Sequence, residues 1–169
     1  MKRVAFGLGA NLGDTVAALQ GAVDVLVQHL EAPAVSSVYE TSPVGGVEQP
    51  DYLNAVLVGD CDEPPSRLLA LAHRVEQSWN RTRDVRWGPR TLDIDLLAVG
   101  AVVSDDPVLT LPHPRARERG FVLLPWAEAD PDAVLPDGTR VADLAAAWRS
   151  ETDRVQLRTD VSLVVHTWT

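Results

Sequence analysis

The chain has a single cysteine, Cys61, and a single lysine, Lys2, in 169 residues. One cysteine excludes an internal disulfide and any zinc cluster built on cysteines; Cys61 reads as a small half-buried residue. One lysine excludes a P-loop, which must end Gly-Lys-Ser/Thr, and also the strand lysine of a protein-kinase site. No run of about 18 apolar residues is present, so no transmembrane helix is expected. The basic start Met1-Lys2-Arg3 looks like the opening of a signal peptide, but the apolar stretch behind it is short and breaks at Gly7, Gly9 and Asn11. It reads as a first strand, with the protein in the cytoplasm. Internal repeats and low-complexity segments are also missing.

Positive charge is scarce as well. The net charge is −9 at pH 7, which argues against general nucleic-acid binding. Its distribution is uneven. Residues 74–119 hold eight Arg against seven Asp and Glu, a net of +1, which leaves −10 for the rest of the chain. An acidic chain that binds a polyphosphate needs local positive charge, and here only the Arg-rich middle and a bound metal can supply it.

The length suits one domain over 1–169 with a substantial core. Residues 4–9 read as a buried strand. Gly9, Asn11 and Gly13 follow as a turn, and Asp14 caps a helix carrying Val16, Leu19, Val23, Leu26 and Leu30. Residues 35–41 and 53–58 read as strands, with a Pro/Gly loop between them. Pro64-Pro65 opens a second helix with Leu68, Leu71, Ala72, Val75 and Trp79 as its apolar stripe. A polar, Arg-rich loop over 81–91 leads to a strand at 92–99, which reads as central. A short helix is expected at 141–148, and the last twenty residues show no clear pattern. The order β-α-β-β-α-β with C-terminal additions predicts an α+β sandwich of ferredoxin-like type. Its mostly antiparallel sheet has helices packed on one face, leaving the other free to hold a site.

Four clusters carry chemistry. Asp93 and Asp95 lie two apart on a strand, so both point to one face, while Leu92, Ile94 and Leu96 pack the other. Two carboxylates completed by water and phosphate oxygens are the usual magnesium arrangement. Arg81, Arg83, Arg86 and Arg90 precede them, and guanidinium groups bind phosphate bidentately at any working pH. Tyr52 and Asn54 share one face of a strand start and suit a flat heterocycle with an amide edge. His113, held between Pro112 and Pro114, is placed to meet a ligand hydroxyl or phosphate. This chemistry predicts a phosphoryl- or pyrophosphoryl-transfer enzyme. A non-catalytic ligand-binding module and a metal-dependent nuclease using Asp93 and Asp95 stand as alternatives.

Five segments, in order, resemble the 6-hydroxymethyl-7,8-dihydropterin pyrophosphokinase family. They are Gly-Leu-Gly-Ala-Asn-Leu-Gly-Asp at 7–14, Tyr-Glu-Thr-Ser-Pro-Val-Gly at 39–45 and Gln-Pro-Asp-Tyr-Leu-Asn at 49–54. Arg-Trp-Gly-Pro-Arg-Thr-Leu-Asp-Ile-Asp at 86–95 follows, then Pro-His-Pro-Arg at 112–115 with Arg-Gly-Phe at 119–121. The resemblance implies transfer of pyrophosphate from ATP to the pterin hydroxymethyl, with release of AMP. It implies two Mg²⁺ ions on Asp93 and Asp95, catalytic roles for Arg81, Arg90 and Asp95, and ATP contacts from Glu76, Arg83, Trp87, Leu96, Thr110, His113 and Arg119. The pterin is expected between Tyr52 and Phe121, its edge read by Asn54 with backbone near Thr41, Ser42 and Val44. The expected enzyme is a monomer with ATP and the pterin as partners, and with neither nucleic acid nor membrane. Ala10, His73 and Val108 depart from residues frequent in the family, and the resemblance fades after about Gly138.

Overall fold

Val4, Phe6, Leu8 and Ala10 alternate with Ala5, Gly7 and Gly9, and this period of two defines β1 (Lys2–Ala10). The computed structural model describes residues 1–11, 13–43, 51–80 and 92–166. After β1 come α1 (Thr15–Leu26), β2 (Glu31–Val35), β3 (Val38–Pro43), β4 (Tyr52–Cys61), α2 (Pro65–Trp79) and β5 (Asp93–Val99). A small hairpin of β6 (Ser104–Asp106) and β7 (Leu109–Leu111) follows, then α3 (Gly120–Ala129), α4 (Val141–Ala147) and β8 (Asp153–Arg158). The main sheet is antiparallel in the order β5-β1-β4-β3-β8, and β2 also pairs with β4. The expected α+β fold is present, with β2 and β3 together filling one strand position of the ferredoxin-like order.

The two faces of the sheet are covered differently. On one, Val4, Phe6, Leu8 and Ala10 of β1 meet Leu53, Ala55 and Leu57 of β4 beneath α1 and α2. Asp14 caps α1 by accepting a hydrogen bond from the Ala17 N–H at 3.0 Å, and Leu19, Val23 and Leu26 turn inward. Pro65 sits at the start of α2, where its missing N–H costs nothing, and Leu68, Leu71, Ala72 and Val75 are buried as the 3.6-residue period requires. On the other face, Ala5, Val56, Val58, Leu97 and Ala98 are covered by the C-terminal additions, Val122, Leu123 and Trp126 of α3 and Val141 and Ala145 of α4. That cover ends halfway along the strands. Among the described residues, no helix is long and apolar enough to cross a membrane.

Three local differences from the sequence reading have physical causes. The strand expected at 35–41 is interrupted, because Ser36 and Ser37 leave the ladder. Ser36 bonds β4 through its own N–H to the Val56 carbonyl and through its hydroxyl from the Val56 N–H, both at 2.9 Å. The strand expected to be central, β5, is an edge. A register shift opposite Ala5 and Phe6 inserts one extra residue in β5, so Leu97 and Ala98 both reach the α3 side while Val99 returns to the α1 side. Burial on both faces thus mimics a central strand. Finally, the unpatterned tail supplies β8, which pairs residue for residue with β3.

α1 and α2 approach closely where Gly21 faces Trp79. A Cβ on Gly21 would stand 2.6 Å from the indole ring. Gly21→Ala is therefore expected to destabilise the fold by about 1–2 kcal/mol in urea unfolding, overpacking outweighing the gain of roughly 1 kcal/mol in helix propensity.

Candidate active site

Where α3 stops, the sheet face continues as Gly7 and Gly9 on β1. In register, Gly9 lies between Asp93 of β5 and Asn54 of β4, and Gly7 lies beside Asp95. Side chains on β1 would fill this strip. A Cβ on Gly9 would stand 3.2 Å from Asn54 Oδ1 and 3.7 Å from the Tyr52 ring. The glycines instead leave a cavity of about 440 Å³ with the sheet backbone as its floor. Tyr52 and Phe121 bring rings to it, Thr41 and Asn54 bring polar groups, and Asp93 and Asp95 close one side. Those volumes and linings are those of a site for a flat small molecule.

Asn54 is buried, and its Nδ2 donates to the Thr41 hydroxyl at 2.9 Å. That bond orients the amide and turns Oδ1 towards Gly9, as an acceptor for a ring N–H. Phe121 lies in the first turn of α3, and the Arg119 guanidinium lies 5.5 Å from its ring centre, within cation–π range.

The Asp strand is held from outside the sheet. Glu76 on α2 accepts a hydrogen bond from the Ile94 N–H at 3.0 Å. Asn80, which ends α2, makes two bonds to Leu92: its Nδ2 donates to the Leu92 carbonyl at 3.0 Å, and its Oδ1 accepts from the Leu92 N–H at 3.4 Å. The outward backbone groups of an edge strand are thus satisfied by side chains where a neighbouring strand would otherwise be needed. The inward side of the same strand pairs with β1, so Asp93 and Asp95 project from a segment held on both sides.

A second cavity, of about 320 Å³, lies across the β5 edge. Glu76, Leu96, Thr110 and His113 line it, and so does Asp95, which therefore borders both cavities. His113 is fixed by three contacts. Its N–H donates to the Leu97 carbonyl at 2.9 Å, its Nδ1 accepts from the Arg115 N–H at 3.3 Å, and its Nε2 faces Asp95 Oδ1 at 3.9 Å. Burial pushes the His113 pKa below its ordinary value; Asp95 opposes this, while Arg119 and Arg115 push the same way. With Nδ1 taken by the Arg115 N–H, the Nε2 edge of the ring is the one turned towards Asp95.

Most of the residues singled out from the sequence fall into these two spaces. Thr41, Tyr52, Asn54 and Phe121 converge on the first, Glu76, Leu96, Thr110 and His113 on the second, with Asp93 and Asp95 at the junction. Arg119, expected with the nucleotide contacts, borders the first cavity beside Phe121. Ser42 lies on β3 opposite Arg154 and borders neither cavity. Val44, Arg81, Arg83, Arg86, Trp87 and Arg90 lie outside the described residues. Gly7 and Gly9 were read only as strand and turn; their alternation with Leu8 on one strand was the available signal for a bare floor. Asn80 had no signal in sequence, since it acts through Leu92, twelve residues further along the chain.

Comparison with known proteins agrees with this geometry. Residues 5–131 match the family described as 7,8-dihydro-6-hydroxymethylpterin-pyrophosphokinase (HPPK). The chain is 40% identical over 149 residues to the 2-amino-4-hydroxy-6-hydroxymethyldihydropteridine pyrophosphokinase of Pseudomonas aeruginosa, covering 87% of this chain and 92% of that one. It is 43% identical over 159 residues to the protein of the same name from Methylorubrum extorquens, covering 92% and 100%. With that of Mycobacterium tuberculosis the identity is 44% over 147 residues, covering 80% and 76%. Among solved structures, the crystal structure of wild-type Plasmodium falciparum HPPK-DHPS superposes with a TM-score of 0.66 at 14% identity, a likeness of fold. The match covers 86% of this chain but only 44% of that much longer one. By the family match and by these identities, the chain belongs to the 7,8-dihydro-6-hydroxymethylpterin pyrophosphokinase family.

Proposed function

We propose that the chain transfers the β,γ-pyrophosphoryl group of ATP to the hydroxymethyl oxygen of 6-hydroxymethyl-7,8-dihydropterin in folate biosynthesis. The observation that carries this reading is the position of Asp95, which borders both the glycine-floored cavity and the one bounded by Thr110 and His113. A flat acceptor in the first and a nucleotide in the second would meet at that carboxylate. A nuclease acting on Asp93 and Asp95 would have no use for the ring-sized cavity.

Mg²⁺ suits this junction. Asp93 and Asp95 offer hard oxygen donors, and among the described residues no group of three or more His, Cys, Asp or Glu gathers to enclose an ion. That leaves coordination positions for phosphate oxygens and water, as Mg²⁺ favours, and we assign two such ions to the pair. Bound there, magnesium neutralises phosphate charge and polarises the β-phosphoryl group. The need is electrostatic: in the first cavity Asp93, Asp95 and Asp153 face a single described cation, Arg119.

Tyr52 and Phe121 hold the pterin between their rings, and Asn54 Oδ1 accepts from its amide edge. Glu76, Leu96, Thr110 and His113 hold the nucleotide, and Arg81, Arg83, Trp87 and Arg90 are assigned to it by the family resemblance. In this pose the hydroxymethyl oxygen forms its bond to the β-phosphorus as the bond to the α,β-bridging oxygen breaks. AMP leaves with the electron pair, and the hydroxyl proton passes to water at the mouth of the site, where Asp95 is half exposed. Positioning of the two substrates supplies much of the rate, because no covalent enzyme intermediate is needed. The same reading makes the protein a single-domain monomer of the cytoplasm.

Chromatography of the nucleotide products tests the reaction. ATP, Mg²⁺ and the pterin should give AMP and the pterin diphosphate; ADP, or no turnover, refutes the assignment. Asp95→Ala is expected to lower kcat by roughly 10³-fold or more, the loss of several kcal/mol of charge stabilisation, with the melting temperature kept near that of the parent. Full activity in that variant would remove the metal assignment.

A further inference from the structure

The glycine-floored cavity has a polar group at its far end that none of the matched family segment supplies. Asp153 is the first residue of β8 and is paired with Pro43 of β3, beyond residues 5–131 that match the family. It is half-buried and borders the same cavity as Tyr52, Asn54 and Phe121. Its N–H donates to the Ser150 hydroxyl at 3.0 Å, but its carboxylate makes no hydrogen bond or ion pair among the described residues. An ionised carboxylate accepts at both oxygens, so a cavity wall that carries one suits a ligand edge with two adjacent donors.

The sheet order decides which part of a ligand arrives there. Asp93 and Asp95 lie on β5, at one edge, and Asp153 lies on β8, at the other, with β1, β4 and β3 between them. On the pyrophosphokinase reading, on which this inference rests, the hydroxymethyl arm of the pterin points at Asp93 and Asp95. Its pyrimidine ring then points towards β3 and β8. That ring ends in an N3–H and a 2-amino group, adjacent donors with the spacing a carboxylate accepts with both oxygens. Asn54 alone offers them a single acceptor. Its Nδ2 is engaged with Thr41 at 2.9 Å, so one carbonyl oxygen faces the ring. The negative charge of Asp153 also repels a triphosphate, which favours a neutral, donor-rich ring at this end of the cavity.

We propose that Asp153, delivered by the C-terminal strand, is a specificity-determining residue that accepts hydrogen bonds from the 2-amino edge of the pterin. It takes no part in the bond-making step. It selects 2-aminopyrimidine-type heterocycles over those with hydrogen or oxygen at that position.

The test compares the full-length parent, Asp153→Asn and Asp153→Ala on 6-hydroxymethyl-7,8-dihydropterin and on its 2-deamino analogue. Both the rate of AMP release and the Kd by titration calorimetry are measured. For the parent substrate, Asp153→Ala should raise KM and Kd about tenfold, as for loss of a charge-assisted hydrogen bond, and Asp153→Asn should fall between. In the same series kcat and the KM for ATP should stay within about twofold, which separates ring recognition from chemistry. The 2-deamino analogue keeps its N3–H, so Asp153→Ala should weaken its binding less than that of the amino substrate, and the preference for the amino substrate shrinks severalfold. An unchanged preference overturns the inference, as does an equal loss for both ligands accompanied by a lower melting temperature. If the parent releases no AMP, the reaction assignment fails on its own, and the contrast in Kd still decides the role of Asp153.

Discussion

The hold of α2 on the outer backbone of β5 is the constraint on which the site depends. An edge strand exposes a row of unpaired N–H and C=O groups, and an unsatisfied one in a buried setting costs about 1–3 kcal/mol. Here the Glu76 carboxylate takes the Ile94 N–H and the Asn80 amide takes both backbone groups of Leu92. Side chains of a helix thus replace a neighbouring strand. Because no strand covers that edge, the second cavity can open there, and Asp95 can border both spaces. Had β5 been an interior strand, the two cavities would have been separated by another ribbon of backbone, and no single carboxylate would have reached both.

The opposite half of the sheet shows how much of the site is made by what is left out. α3 and α4 cover Ala5, Val56, Val58 and Leu97, then stop. Beyond them, Gly7 and Gly9 put no side chain on the face, so the space that a core would have filled becomes the cavity. The walls then carry three carboxylates and one described guanidinium, a balance that suits a neutral ring better than a bare polyphosphate.

Local periodicity made much of the fold legible. The apolar stripes of α1 and α2 and the Asp14 cap stand where the spacing of Leu19, Val23, Leu68 and Val75 implied. The pairing of Asp93 with Asp95 on one face, with Ile94 and Leu96 on the other, also follows from a period of two. Three features escaped for different reasons. The break at Ser36 depends on that residue's two bonds to Val56, a partner twenty positions away. The edge position of β5 was hidden because a bulge buries Leu97 and Ala98 on one side and Val99 on the other. β8 carries only Val155 and Leu157 as apolar residues, neither of them buried, so its pairing with β3 rests on backbone hydrogen bonds that leave no hydropathy signature.

The sequence alone determined which residue types are available: two carboxylates two apart, a run of arginines before them in the chain and no lysine to support the common nucleotide-binding loops. Those are properties of residue type and short spacing, which any folded state must respect. Where that chemistry sits was decided only by the tertiary structure. The placement of β5 at an edge, the closure of its backbone by Glu76 and Asn80, and the arrival of Asp153 at the cavity that Asn54 also lines join segments twelve to about a hundred residues apart. Such pairings are selected by the packing of whole layers and by the demand that every buried backbone group find a partner, and neither is written in a local pattern.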